Sequence, residues 1–167
     1  MKKEKRGQMK MSFGMIFSII LIIIFITFSF TVIRSWLELG TITQIESFVD
    51  TLQKDVNEIW AGSQGSQVEQ YSLPNKVGMV CFVDYSSPAK GSGTDMQDYM
   101  DRTSSETNNL FFYPKEILKY VENKEIEHIN ISKITLNSNP FCIEHIRDKK
   151  VSMVLQKNYN DVLVNIN

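Results

Sequence analysis

Charge is missing from Met11 to Ile33, and proline is missing from Met1 to Trp60. The first absence excludes a water-exposed surface helix for these twenty-three residues. At about 1.5 Å per residue a helix here covers about 34 Å, enough for a hydrocarbon core of about 30 Å. In lipid every backbone N–H and C=O must be satisfied within the segment, so the isoleucine-rich run reads as helix despite its β-branched side chains. A buried core helix is the alternative, but it needs a larger domain around it than the remaining chain supplies. The second absence leaves Gly40 as the one expected break, followed by capping-box spacings at Thr41/Gln44 and Thr43/Glu46.

Other absences narrow the function. A cleavable secretory signal has an apolar core of about 7 to 15 residues and a small-x-small site. This run is longer, and Phe28-Ser29-Phe30-Thr31-Val32 offers no Ala-x-Ala. The first cysteine is Cys81, so no lipid-attachment cysteine follows the run. The segment is therefore expected to stay as an anchor. The chain has two histidines, His128 and His145, outside any His-Glu-x-x-His arrangement, and no Gly-x-Ser-x-Gly. Gly62-Ser63-Gln64-Gly65-Ser66 lacks the Gly-Lys-Ser/Thr ending of a phosphate loop. Ser87-Pro88-Ala89-Lys90 matches Ser-x-x-Lys, yet no Ser-Asp-Asn or Lys-Thr-Gly follows, and Pro88 opposes the helix that motif needs. An enzyme is not expected, and no cofactor is implied.

What is present is asymmetric. Lys2, Lys3, Lys5, Arg6 and Lys10 against Glu4 give residues 1–10 a charge of +4; the chain totals −1, so the remainder carries −5. A basic tail before an apolar helix predicts a cytoplasmic N-terminus and an extracytoplasmic remainder, by the positive-inside rule. This tail is the only dense basic run. Its expected partner is anionic membrane lipid rather than nucleic acid.

Lys5-Arg6-Gly7-Gln8 ahead of the long apolar run resembles the class III leader of archaeal type IV pilins and archaellins. The resemblance covers about the first 35 residues. It implies a prepilin-type peptidase cutting between Gly7 and Gln8, and an apolar helix that is retained and self-associates as a filament core. Two positions depart from the pattern. Lys10 falls just inside the mature end, and Ser12 stands where many pilins carry Glu, a residue that archaellin-like sequences also lack. A plain single-pass anchor, with a domain that binds a partner or surface ligand, stays open beside the structural or adhesive pilin-like reading.

The chain divides into a basic leader (1–10), the membrane helix (11–33), an amphipathic helix (34–60), a linker (61–70) and a β-rich domain (71–167). In the second helix Ile42, Ile45, Val49, Leu52, Val56 and Ile59 recur at three- and four-residue steps, with Phe48 and Trp60 widening the stripe. Residues 61–70 are small, polar and glycine-containing, the composition of a linker. Strands are predicted at Val77–Asp84, Leu110–Tyr113, around Ile129–Leu136, at Phe141–Ile146, Val151–Leu155 and Val162–Ile166. A short helix is predicted from Pro114, burying Ile117, Leu118 and Val121. The predicted fold is α+β, with the stripe packed on one antiparallel sheet of about five or six strands, pilin-like in outline.

Cys81 and Cys142, each in an apolar strand, predict a disulfide if the domain lies outside the cytoplasm. The competing readings are a zinc set built from Cys142-x-x-His145 with Cys81 and His128, or two buried thiols. Asn130-Ile131-Ser132 is the single N-glycosylation sequon. Asp95, Asp98, Asp101 and Glu106 match no calcium-loop spacing and read as a solvated acidic loop.

Overall fold

The computed structural model describes residues 13–96, 108–114, 124–147 and 149–167. Contacts divide the chain between Leu39 and Gly40 into two units. Helix α1, Phe13–Ala61, contributes to both. Its hydrogen bonding runs through Gly40, where a break was expected, and a Cβ at Gly40 would meet nothing within 4 Å. Glycine costs a helix roughly 1 kcal/mol relative to alanine, which the surrounding turns absorb.

In the first unit several polar side chains of α1 find partners on the helix itself. The hydroxyls of Ser18, Thr27 and Thr31 donate to the carbonyls of Gly14, Ile23 and Thr27 at 2.8–2.9 Å. Such back-bonding suits hydroxyls to an apolar run, because donor and acceptor lie on one helix.

The second unit is α+β. Strands β1 (Gly65–Tyr71), β5 (Val151–Lys157) and β6 (Asn165–Ile166) form one three-stranded sheet in the order β1-β5-β6. Strands β2 (Met79–Phe82), β3 (Leu110–Tyr113) and β4 (Phe141–Glu144) form another, in the order β3-β2-β4. All named strand pairs are antiparallel. Two small sheets thus replace the single one expected. The stretch read as a linker is strand from Gly65 onward: pairing with β5 along its full length compensates for a polar composition. The strand expected around Ile129–Leu136 is instead one helical turn, α2 (Ile131–Ile134), capped by Asn130, whose side-chain oxygen accepts from the Lys133 N–H at 3.1 Å. The predicted helix after Pro114 lies outside the described residues.

One core joins α1 to both sheets. Ile45, Phe48, Leu52, Val56 and Ile59 are buried, at the helical spacing the sequence predicts. Phe48 meets a ring from each sheet edge-on: Tyr71 of β1 at 5.3 Å and Phe112 of β3 at 5.8 Å between centroids. Val80 and Phe82 of β2 join this core, whereas Cys81 and Val83 face a second, smaller cluster with Phe111, covered by Tyr85, Ala89 and Met96. Burial on both faces explains why β2 reads as an unbroken apolar run.

The far end of α1 is closed by a lysine. Lys157 Nζ donates to the carbonyls of Trp60 (2.6 Å) and Gly62 (2.8 Å), placing a cation where helical carbonyls lack partners. Trp60 does not widen the core stripe as expected. It is partly exposed and stacks on His128, with centroids 3.7 Å apart.

Truncating Phe48 to alanine removes both ring contacts at once. We expect Phe48→Ala to destabilise the domain by about 3–5 kcal/mol, read as a lower denaturant midpoint with an unchanged slope. The Tyr71 hydroxyl donates to Asp55 Oδ2 at 2.9 Å. Burial first, then the Asp55 carboxylate, pushes the phenol well above its ordinary value of 10.0. The folded chain therefore holds this proton more tightly than the unfolded one, so its contribution is complete below pH 10.0 and declines as the pH rises further. In an alkaline titration followed by phenolate absorbance, one tyrosine should ionise only as the domain unfolds, and Tyr71→Phe should abolish that late step.

Candidate functional site

Among the described residues two features stand out, an apolar helical segment and a cross-linked sheet. Among the described residues α1 is the one helix long and apolar enough to cross a membrane. Its large side chains from Phe13 to Ile33, with the eight isoleucines and phenylalanines from Ile19 to Phe28 among them, are exposed. Exposed apolar area on this scale marks a surface that water does not normally cover. Where the run ends, the Arg34 guanidinium lies 4.3 Å from the Phe30 ring centre and Trp36 is exposed. A cation and an indole at that position match the composition of a membrane–water boundary. One long apolar helix near the N-terminus fits a single-pass membrane protein.

The two cysteines are joined. Cys81 and Cys142 sit directly opposite each other on β2 and β4, with an S–S distance of 2.05 Å and Cα atoms 4.0 Å apart. The register brings them together: Val80 opposes Ile143 and Phe82 opposes Phe141 on either side. The free-thiol reading is thereby excluded, and so is a zinc set that includes these sulfurs. The histidines are engaged elsewhere. His145 is buried, with Nδ1 2.7 Å from the Val77 carbonyl and Nε2 3.0 Å from that of Lys149. His128 Nδ1 lies 3.1 Å from Asn57 Oδ1. Among the described residues no group of three His, Cys, Asp or Glu side chains could hold a metal ion.

Gly7, Gln8, Lys10, Ser12, Asp98, Asp101 and Glu106 lie outside the described residues. Asn130 is half-buried; its side-chain oxygen caps α2, and its backbone N–H donates to the Val164 carbonyl at 2.7 Å. Ser87 is not paired with Lys90. Its hydroxyl donates to Asp84 Oδ2 at 3.1 Å, within a clamped loop rather than a helix.

Sequence reasoning missed the residue that clamps that loop. Asn139 is 0% exposed. Its amide nitrogen donates to the carbonyls of Asp84, Ser87 and Pro88 at 2.9–3.2 Å, and its oxygen accepts from the Asp84 N–H at 3.0 Å. Its backbone exchanges two 3.0 Å hydrogen bonds with Lys90. Gly93 packs so closely on it that an added Cβ would overlap the Asn139 carbonyl. No composition or spacing signal points to an isolated asparagine; the signal nearest to it was the Asn-Pro turn at 139–140.

A 470 Å³ cleft opens beside the ends of β1 and β5, lined by Gln64, Ser66, Gln156, Asn158 and Tyr159 among others. It is shallow and polar, and its amides already bond locally: Asn158 Nδ2 donates to Asp161 at 2.7 Å. Comparison with family models, curated proteins and solved structures finds no match for this chain.

The disulfide closes a separation of 61 residues. In the chain-entropy account that constraint is worth about 4 kcal/mol. Full reduction should lower the melting temperature without dissociating any metal, and intact mass should rise by two hydrogens. Cys81→Ala/Cys142→Ala should melt where the reduced protein does.

Proposed function

We propose that this chain is a membrane-anchored cell-surface protein of the type IV pilin/archaellin-like kind, a structural or adhesive subunit. The observation that carries the reading is α1 itself. One helix presents an exposed apolar run over its first part and supplies the core stripe of an α+β domain over its last. A subunit built that way could place the apolar run in lipid before assembly and against neighbouring copies afterwards. The basic tail supports a cytoplasmic start, and a disulfide persists in oxidising surroundings, which supports an extracytoplasmic domain. Lys5-Arg6-Gly7-Gln8 supports processing by a prepilin-type peptidase.

Lys10 favours a second reading, since an ammonium suits a lipid headgroup better than a packed filament core. In it the chain is a single-pass protein that does not polymerise, and its domain binds a partner or surface ligand.

The native N-terminus separates the two. Terminal sequencing or mass mapping of protein from its own membranes should find Gln8 first. Retention of Met1 to Gly7 would remove the filament reading and leave the single-pass one. In the same cells, externally added protease should cut the domain while the cells stay intact; full protection would overturn the orientation.

A further inference from the structure

Strand β1 is an uncovered edge. Its inner side pairs with β5 continuously, from Gly65↔Lys157 to Tyr71↔Val151. Its outer side has no strand partner among the described residues. Ser66, Gln67, Val68 and Gln70 are exposed, Val68 by 63%, and Glu69 is half-buried. A row of free backbone N–H and C=O groups invites another strand, and edges are usually blunted by brevity, lysine, proline or a bulge. The other edge strands use brevity: β3 and β4 have four residues each and β6 has two. β1 has seven residues, an unbroken one-to-one register, no lysine and no proline.

We infer that β1 pairs antiparallel with β1 of a second copy, about a two-fold axis at Val68. The sequence is self-complementary in that register. Val68 meets Val68, Gln67 meets Glu69, Ser66 meets Gln70 and Gly65 meets Tyr71. The single charge of the strand falls opposite an amide donor, a pairing that Gln67 and Glu69 already make along their own strand. Val68 neighbours Val154 across β5. The axis would therefore set four valines side by side on one face, Val154 and Val68 from each copy. Centring the axis on Glu69 instead would bring two carboxylates face to face, which cross-strand pairs disfavour. Centring it on Gln67 would leave Gln70 and Tyr71 beyond the end of the partner strand. One register thus satisfies both charge and length, and it fuses two three-stranded sheets into one of six.

Cross-linking of the full-length chain in detergent tests this. With the native pair Cys81–Cys142 closed, an introduced cysteine is the only free thiol. Under mild oxidation Val68→Cys should yield a disulfide dimer. Ser66→Cys and Gln70→Cys should each stay monomeric alone and cross-link when mixed. In that mixed pair, adding Val68→Lys to both copies should abolish the cross-link while leaving the melting temperature of the domain unchanged. A folded Val68→Cys protein that stays monomeric overturns the proposal. So does Ser66→Cys alone cross-linking as readily as Val68→Cys, or a cross-link that survives Val68→Lys. The last outcome would point to association elsewhere, as through α1.

Discussion

An uncharged run of this length leaves the backbone one way to satisfy its polar groups in lipid, which is to bond each of them inside the same helix. That constraint shapes the first unit down to its hydroxyls, which turn back onto carbonyls of their own helix. It also bears on the second unit. The helical assignment includes Gly40, so the residues that follow keep a helical period, and the α+β domain is built around a stripe with that period. Within the domain the stripe does what neither sheet does alone. A three-stranded sheet with strands of two to seven residues buries little by itself, and Phe48 gives the two sheets a common surface.

The parts of this fold that were legible in the sequence are those where side-chain period and burial agree. The apolar run has no polar alternative. Ile45, Leu52, Val56 and Ile59 repeat at the helical step and are buried. β2 and β3 are dense apolar runs with both faces covered or nearly so, and Leu110–Tyr113 is recovered to the residue. The cysteines, one in each of two apolar strands, pair as expected.

What was not legible depends on partners far along the chain. β1 is polar and exposed, so composition describes a linker; only its ladder with β5 makes it a strand. Ile129 to Leu136 carries β-branched residues, yet Asn130 caps a helical turn there, and Gln53 and Asn57 of α1 hold the preceding segment. Gly40 resembles a helix end because glycine often is one, and here the flanking turns outweigh it. Asn139 has a role only once the loop from Asp84 to Lys90 has folded over it. These are long-range hydrogen bonds, and no local pattern encodes them.

The disulfide has a mechanical consequence. A domain tethered at one end and pulled at the other transmits tension along its backbone from α1 to the C-terminus. Tension reaching Cys81 passes through sulfur to Cys142, so the 61-residue separation between them bears no load and cannot pay out. At about 3.3–3.6 Å per residue, roughly 200 Å of slack stays locked. Shear on such a domain would be met by a short tether: β1 and β5 could part, while the sheet holding β2 to β4 stayed riveted.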